Sequence, residues 1–346
     1  MPVLGGTVRD GAVAEQASRP RFETFEEAYR HFLRVLRDEP EFQNSPRGYA
    51  SREILSVTYT VANPRERVVR DPARATNLVF NFAEVLWYLS GRNDLSFIQY
   101  YAPRMSRYSA DGATLRGTAY GPRIFNFGGA GVNQWANVVK VLREDPDSKR
   151  AYIQIFAPEE LIEPANIDVA CTLGLQYFIR DGALHAVSYM RANDAYRGAV
   201  SDAFSFTMLQ ELMACQLRLR LGSYTHVAGS YHLYEPDQSR ADQLLASTAP
   251  PVSTAPFPAM PAGDNWAAIR RVLELEAALR AGWYAPGPAE LRSIDLPSYW
   301  RQVLILLAYH AGRRQGRPAD GLLDELASPL QELARRVQIP GLGTVA

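Results

Sequence analysis

Side chains that can do chemistry are concentrated between Cys171 and Asp202. A cysteine is a strong nucleophile once it has lost its proton, which positive charge close to it favours, but a lone buried cysteine is more often an inert packing residue. Two arginines and two aspartates occur in RANDAYRGAVSD, directly before the apolar run AFSFTMLQELMACQL. Because an unpaired charge is costly in an apolar core, these four charges are expected to need partners.

Two further residues need a choice between packing and chemistry. Cys215 lies in LMACQL, an apolar helical segment without a nearby acid or base, and is expected to be inert. Glu84 lies in FNFAEVLWYL, where it is either a solvent-facing helix residue or a buried acid–base group. Its apolar neighbours favour the second reading, because burial raises the pKa of a carboxyl group toward neutral pH, where it can exchange protons.

Composition excludes several classes of protein. Lys plus Arg and Asp plus Glu both count 37, so no overall field attracts nucleic acid or an anionic membrane. The two cysteines form neither a disulfide framework nor a four-cysteine metal site, and no metal is expected. The chain has no apolar run long enough for a membrane span and no signal-peptide pattern at its start. We expect a cytoplasmic protein.

The elements that must hold these side chains mix helices and strands. FETFEEAYRHFLRVLRDE predicts an amphipathic helix with Thr24 as its N-cap, and TNLVFNFAEVLWYLSGR predicts a buried helix that ends near Gly91. REILSVTYTV, KRAYIQIF, CTLGLQYFIR and ALHAVSYMR predict strands, and SDAFSFTMLQELMACQLRL a long buried helix. Without a regular βαβ alternation, the fold class is α+β.

Three parts are expected along the chain. We predict a mobile leader over residues 1–21 and a catalytic domain over residues 22–245. Residues 246–346 contain the proline-rich TAPPVSTAPFPAMPAG followed by a helical extension, WAAIRRVLELEAALRAG, YWRQVLILLAYHAGRR and LLDELASPLQELARRV.

Several motifs share one order and spacing. Cys171 is followed by Arg191, Asp194, Gly198, Asp202, His232 and Tyr234, an order that resembles the Cys, QRSxD, GxPFN and HxY pattern of the thymidylate synthase family. Upstream, EVLWYLSG resembles that family's ELLWFLxG, TAYGPR its PVYGxQWR and DPDSKR its DPxSRR. The resemblance covers about residues 22–240 and implies the family's mixed sheet packed with helices.

The resemblance also implies an activity and a role for each matching residue. Cys171 would attack C6 of a pyrimidine nucleotide, with Glu84 as the general acid/base and Tyr120 and Asp202 as further catalytic residues. 5,10-Methylenetetrahydrofolate would supply one carbon to C5. Asp194, Gly198 and Trp87 would lie at the folate. Lys149 and Arg150 would reach the phosphate from the opposite subunit of a homodimer. The nucleotide itself would be bound by the remaining matches: Arg47, Arg191, Ala192, His232 and Tyr234.

Four positions depart from thymidylate synthases. Asp202 replaces the asparagine that reads the base, which marks the family's cytidylate hydroxymethylase branch; acting only as a helix N-cap is the alternative. Ala192 replaces a serine and Lys149 an arginine, so the phosphate contacts differ and CMP is expected over dCMP. Thr172 replaces a histidine beside the cysteine, and the ending GLGTVA does not match the family's closing tail.

Other functions stay open at this point. The chain is alternatively a dCMP hydroxymethylase, a thymidylate synthase, or a catalytically silent nucleotide-binding dimer. A zinc-dependent cytidylate deaminase is excluded because the sequence lacks the HxE and PCxxC signature.

Overall fold

The computed structural model describes residues 19–335. Seven strands form one sheet in these residues. They are β1 (Arg21–Phe22), β2 (Phe42–Asn44), β3 (Ser51–Val61), β4 (Tyr152–Gln154), β5 (Thr172–Arg180), β6 (Ala183–Asp194) and β7 (Arg220–Tyr234).

Helices surround this sheet. The helices are α1 (Phe25–Asp38), α2 (Leu78–Leu89), α3 (Leu95–Tyr101), α4 (Tyr120–Phe125), α5 (Gln134–Glu144), α6 (Gly198–Leu217), α7 (Glu235–Ala246), α8 (Trp266–Ala281), α9 (Pro288–Ser293), α10 (Ser298–Arg314) and α11 (Ser328–Arg335). The expected α+β class is therefore confirmed.

The sheet is mixed, in the order β1-β3-β7-β6-β5-β4, with β2 paired to β3. β6 and β7 run parallel, whereas β3 and β5 are antiparallel to them. The register sets Asp194 opposite His232 and Ala192 opposite Ser230. The parallel β6–β7 pair thus brings together two sequence motifs that the whole of α6 separates.

The helices form successive layers over the sheet. α6 packs on β6 and β7, α1 packs on β3, and α2 packs on α6. The three helices α8, α10 and α11 pack on α2 from its other side. Every residue of α2 is buried, because the helix has neighbours all round it. Glu84 therefore lies in the middle layer of the molecule.

Local sequence signals explain several boundaries. Thr24 caps α1 as predicted, in a capping box with Glu27. β5 and β6 are joined at Asp181 and Gly182, which have φ of 50° and 68°. A two-residue hairpin with both residues in the left-handed region is the type I′ turn that suits the twist of the strands.

The structure also differs from the expectations. The strand β7 was not predicted, although RLGSYTHVAGSYHLY is rich in β-branched and aromatic residues. LLDELASPLQELARRV is not one helix: a 3₁₀ turn at Asp320–Glu325 precedes α11, which begins at Ser328. Pro329 explains the break, because proline is tolerated in the first turn of a helix and not inside it.

The leader and the chain end are only partly described. Residues 1–18 and 336–346 lie outside the described residues, whereas Arg21, assigned to the leader, already belongs to β1. No helix within residues 19–335 is long and apolar enough to cross a membrane.

Candidate active site

Cys171 lies immediately before β5, beside Arg191 on β6. The guanidinium Nη2 of Arg191 is 3.7 Å from Cys171 Sγ. The same guanidinium donates from Nε to the Ala170 carbonyl at 2.8 Å and from Nη2 to the Val169 carbonyl at 3.0 Å. Arg191 therefore holds the chain that leads into the cysteine, in addition to offering positive charge beside it.

Opposing effects act on the thiol of Cys171. Burial raises its pKa, and the positive charges of Arg191 and Arg47 lower it, whereas Asp202 and Asp194 raise it. The thiol is thus protonated in this form of the protein, and added positive charge or lost negative charge at the site favours the nucleophilic thiolate.

Glu84 is buried on α2, as its apolar sequence neighbours indicated. Ser205 Oγ on α6 donates to Glu84 Oε2 at 3.1 Å. Burial raises the pKa of Glu84 to about 7, against the opposing effects of hydrogen bonds from Ser205 and Tyr88 and the charge of Arg104. A carboxyl group that titrates near neutral pH can both give and take a proton during turnover.

Tyr120 begins α4 and lies among the ionisable groups of the site. Thr172 Oγ1 donates to its hydroxyl at 3.0 Å, and its ring stacks on Tyr88 with centroids 4.9 Å apart. Burial raises the pKa of Tyr120, and the negative charges of Asp202, Cys171 and Glu84 raise it further. The four residues that we predicted as catalytic therefore share one neighbourhood, and Thr172 supports Tyr120.

Asp202 lies one turn inside α6, which begins at Gly198. The alternative reading of Asp202 as the N-cap is therefore wrong. Its Oδ2 accepts a hydrogen bond from Asn193 Nδ2 at 2.7 Å. Burial raises the pKa of Asp202 well above its ordinary range, and the charge of Glu84 adds to this, which favours the neutral carboxyl.

Asp194 and Gly198 shape the turn from β6 into α6. The Asp194 Oδ1 atom accepts from the main-chain N–H groups of Tyr196 and Arg197, both at 2.9 Å. A Cβ atom at Gly198 would lie 3.3 Å from both Asn193 Nδ2 and Asp202 Oδ2. Glycine at this position therefore keeps the space next to Asp202 open.

His232 and Tyr234 lie on β7 with ring centroids 4.8 Å apart. Burial raises the pKa of Tyr234, and a hydrogen bond from Arg47 lowers it. Arg47 is held in a 3₁₀ turn with φ of 55°. The structure thus brings Arg47 to the predicted site.

Three of the predicted site residues are not part of the cluster around Cys171. Arg150 is 78% exposed, with its Nη2 4.0 Å from Asp145, and Lys149 is also exposed. Trp87, expected at the folate, is fully buried, and its Nε1 has no hydrogen-bond partner among the described residues. The indole therefore has no open surface for a ligand.

Sequence analysis missed four residues that support the catalytic groups. Tyr88 and Ser205 contact Glu84, and both follow a predicted residue at helical spacing: Tyr88 after Glu84 on α2, and Ser205 after Asp202 on α6. That spacing was an available signal. Asn193 and His226 contact each other only through the β6–β7 pairing, which the sequence alone does not reveal.

Residues 19–335 contain no group of three or more His, Cys, Asp or Glu side chains arranged to hold a metal ion. The donor set of the site is instead one thiol, carboxyl groups, hydroxyl groups and guanidinium groups.

Known proteins resemble the part of the chain that builds this site. Residues 47–261 match the family model described as thymidylate synthase. Two similar relatives are named deoxyuridylate hydroxymethyltransferase: one from Bacillus phage SP01, 32% identical over 56% of this chain and 53% of its own length, and one from Pseudomonas phage M6, 30% identical over 58% and 57%. A third, from Delftia phage PhiW-14, has the same name and is 27% identical over 68% of this chain and 67% of its own length. The matches to the first two relatives thus span just over half of their lengths. Because the family model matches more than half of the chain, this protein belongs to the thymidylate synthase family.

Proposed function

We propose that this protein hydroxymethylates C5 of CMP, in preference to dCMP, with 5,10-methylenetetrahydrofolate as the one-carbon donor. The observation that carries the proposal is Asp202 itself, partly buried and with a raised pKa that favours the neutral carboxyl, at the position where thymidylate synthases have asparagine. A neutral carboxyl donates one proton to N3 of cytosine and accepts from its 4-amino group.

The proposed reaction starts at Cys171. Its Sγ forms a bond to C6, and the electron pair of the C5–C6 double bond moves to C5. C5 then bonds to the one-carbon unit that methylenetetrahydrofolate would supply as one of its two methylene–nitrogen bonds opens. Loss of the C5 proton and breaking of the second methylene–nitrogen bond would release tetrahydrofolate and leave an exocyclic methylene on C5. Water adds to the resulting exocyclic methylene, and the Sγ–C6 bond breaks. The products are a 5-hydroxymethyl nucleotide and tetrahydrofolate, without any net oxidation or reduction.

Glu84 and Tyr120 fit the proton transfers. The pKa of Glu84, about 7, lets it accept a proton in one step and return it in another near neutral pH. Tyr120 accepts a hydrogen bond from Thr172. Its own hydroxyl hydrogen is therefore free to donate toward a water molecule or toward the base at C5.

The residues near Gly198 are compatible with the folate. The absent Cβ of Gly198 leaves space beside Asp202, and Asp194, whose Oδ1 is bound to two main-chain N–H groups, has a second carboxylate oxygen that can accept from the folate ring. We assign both residues to the folate side. Trp87, which is fully buried, would act only through Tyr88, whose ring centroid is 5.9 Å away.

The phosphate is assigned to positive charge from both subunits of a homodimer. Arg191 and Arg47 lie near Cys171, and the exposed Lys149 and Arg150 are available to the partner's site. Because Nε and Nη2 of Arg191 already contact backbone carbonyls, Nη1 is its free donor for the phosphate. A second basic pair supplied in trans would complete the anion site.

The preference for a ribonucleotide rests on Ala192 and Lys149. Because alanine and lysine replace the family's serine and arginine, the phosphate loses a hydroxyl donor and a bidentate guanidinium. The sugar then has room for a 2′-hydroxyl near His232 and Tyr234. The same pair of residues resembles the CMP 5-hydroxymethylase of mildiomycin biosynthesis. This resemblance supports CMP as substrate and a role in antibiotic biosynthesis.

One face of the sheet supports the homodimer. This face includes four side chains that lie side by side on β5, β6 and β7 and are only partly buried within the chain: Gln176, Val187, Tyr189 and Val227. A largely uncharged sheet face of this kind fits an isologous interface, in which the same surface occurs on both subunits.

The relatives favour a second candidate, hydroxymethylation of a deoxyuridylate. Their printed names give that activity, and the same addition of water to the methylene carbon on C5 would follow on a different base. A neutral carboxyl can also donate to O4 of uracil and accept from its N3–H. The choice between the candidates therefore depends on which oxygen of Asp202 carries the proton.

A product assay separates these functions. The purified protein is incubated with methylenetetrahydrofolate and, separately, with CMP, dCMP, UMP and dUMP, and the product masses are measured. We expect hydroxymethylated CMP as the fastest product, and no product with Cys171→Ala. A methylated product identifies a thymidylate synthase instead, a preference for dUMP supports the second candidate, and no turnover with any nucleotide supports the silent dimer.

A further inference from the structure

A chain of hydrogen bonds lies behind Asp202 and extends into the sheet. Asn193, 2% exposed, donates from Nδ2 to Asp202 Oδ2 at 2.7 Å. Its Oδ1 lies 3.1 Å from Nε2 of His226, which is fully buried. The other ring nitrogen, Nδ1, lies 2.9 Å from the Tyr224 hydroxyl and 3.1 Å from Ser188 Oγ. We call the Asn193 and His226 pair the carboxyl support.

The carboxyl support has a defined direction. Burial lowers the pKa of His226 to about 3, so the imidazole is neutral and has one donor and one acceptor nitrogen. The amide oxygen of Asn193 only accepts, so Nε2 carries the hydrogen. Nδ1 is then the acceptor, and the Tyr224 and Ser188 hydroxyl groups are donors within reach. The imidazole thus keeps the amide nitrogen of Asn193 directed at Asp202.

This direction matters because a carboxyl group is symmetric. A neutral carboxyl can place its proton on either oxygen, and the two arrangements present donor and acceptor to the base in opposite orders. One order matches cytosine and the other matches uracil. The N–H donated by Asn193 needs an acceptor, which makes Oδ2 the carbonyl oxygen and leaves the proton on Oδ1.

We propose that Asn193, oriented by His226, is a positioning residue that determines base specificity by confining the Asp202 proton to Oδ1. Oδ1–H then donates to N3 of cytosine, while the second lone pair of Oδ2 accepts from the 4-amino group. The identity of the preferred base rests on the proposed function. The carboxyl support itself predicts only that Asp202 presents its donor and acceptor to the base in one fixed order, so that one base is strongly preferred over the other.

The groups that face Asp202 are consistent with a neutral carboxyl. Glu84 on α2 and Asp194 on β6 are both acidic, and each raises the pKa of Asp202 in addition to its burial. Asn193 is the side chain that opposes this, through its hydrogen bond. The two acidic neighbours favour the protonated form of Asp202, and the position of that proton is the variable that Asn193 controls.

The first test removes the donor. The kcat/KM values for CMP and UMP are measured for the wild type and for Asn193→Ala, and thermal unfolding is followed for both. We expect the preference between the two bases to shrink by about tenfold or more, in line with the discrimination carried by one oriented hydrogen-bonding group. An equal loss of kcat/KM for both nucleotides, with an unchanged ratio, would overturn the proposal.

The second test changes His226, the next side chain along the hydrogen-bond chain from Asp202. It covers the case in which Asn193→Ala does not fold. His226→Phe keeps an aromatic ring against Tyr59, whose ring stacks on His226 at 5.1 Å, but it removes the donor to Asn193. We expect the same shrinkage of the base ratio, and no further change in the double variant. An unchanged ratio in His226→Phe contradicts the proposal.

A matched control comes from the same strand pair. His185 on β6 is half-buried and bonded to Ser223, and it has no contact with Asn193 or Asp202. His185→Phe is expected to keep the base ratio of the wild type. The outcomes also separate this inference from the proposed function: a wild type that prefers UMP defeats CMP as substrate, whereas an unchanged ratio in both variants defeats the carboxyl support.

Discussion

Arg191 and Cys171 are connected through both backbone and side chain. The main-chain N–H of Arg191 donates to the carbonyl oxygen of Cys171 at 2.8 Å, while Arg191 Nη2 lies 3.7 Å from Cys171 Sγ. The strand pairing that fixes the position of the cysteine therefore also fixes the charge beside it. The proposed nucleophile and its proposed activating cation are thus held together where β5 begins and β6 ends.

Removing that charge should weaken the nucleophile. In Arg191→Gln, burial of Cys171 is no longer opposed by the nearest positive charge, so the thiol pKa rises further. We expect the rate of alkylation by iodoacetamide at pH 7.5 to fall about tenfold, which corresponds to a pKa change of about one unit. Arg191→Lys should fall between this variant and the wild type. Arg220→Gln, at the far end of β7, is the control, and an equal loss in that variant would contradict the prediction.

Glu84 should make stability depend on pH. The unfolded carboxyl titrates near 4.5 and the folded one at about 7, so between these values the folded state holds a proton that the unfolded state releases. Stability is therefore lost as the pH rises toward 7. Relative to wild type, Glu84→Gln should gain about 2–3 kcal/mol on going from pH 5 to pH 8, measured by urea unfolding. Glu144→Gln on the exposed face of α5 should gain nothing, and a constant difference between Glu84→Gln and wild type would refute this origin.

Glu84→Gln should also affect turnover. An amide cannot exchange protons, so kcat should fall by about 100-fold or more, within the usual range for general acid–base groups. The pH dependence of kcat near 7 should disappear in the variant. If the residual activity keeps that dependence, another group is responsible for it.

Thr172 should matter through Tyr120. Thr172→Val removes the hydroxyl that donates to Tyr120 with little change in shape. We expect a stability loss of about 1 kcal/mol and a several-fold fall in kcat. Thr225→Val is the matched control, because Thr225 is also buried and bonded, in its case to Thr60. Equal falls in kcat for the two variants would show that Thr172 has no special role.

The C-terminal helices should unfold together with the site. Tyr299 on α10 packs near Phe82 of α2, with ring centroids 6.4 Å apart. Tyr299→Ala should cost about 3–5 kcal/mol, and activity and helical circular dichroism should be lost in one transition. Tyr299→Phe should be nearly neutral, because its hydroxyl has no hydrogen-bond partner among residues 19–335. Two separate transitions would instead indicate an independent extension.

The partly buried face of β5, β6 and β7 should control whether the protein forms a dimer. Val187→Asp places a charge at the centre of the face proposed to pair between subunits, which is unfavourable without a partner charge. We expect this variant to be monomeric in sedimentation, and to lose activity if Lys149 and Arg150 act across the interface. Lys140→Asp, on exposed α5, should stay dimeric. A wild type that sediments as a monomer would refute the interface.

The sequence by itself determined many of the local elements and led to the proposed reacting groups. The N-cap at Thr24, the turn at Asp181 and Gly182 and the burial of Glu84 follow from short-range patterns, because capping, turn geometry and apolar periodicity are local effects. The motif order from Cys171 to Tyr234 identified the family, whose model matches the chain.

Only the tertiary structure decided which partners hold those groups. Asn193 meets His226 across two parallel strands whose connection passes through the whole of α6, and no local pattern encodes that register. The same holds for Arg47, which reaches Tyr234 from a loop, and for Trp87, which is fully buried and not at the site surface. Strand register and helix packing depend on the burial of the entire core, so contacts between distant segments arise only once the chain has folded.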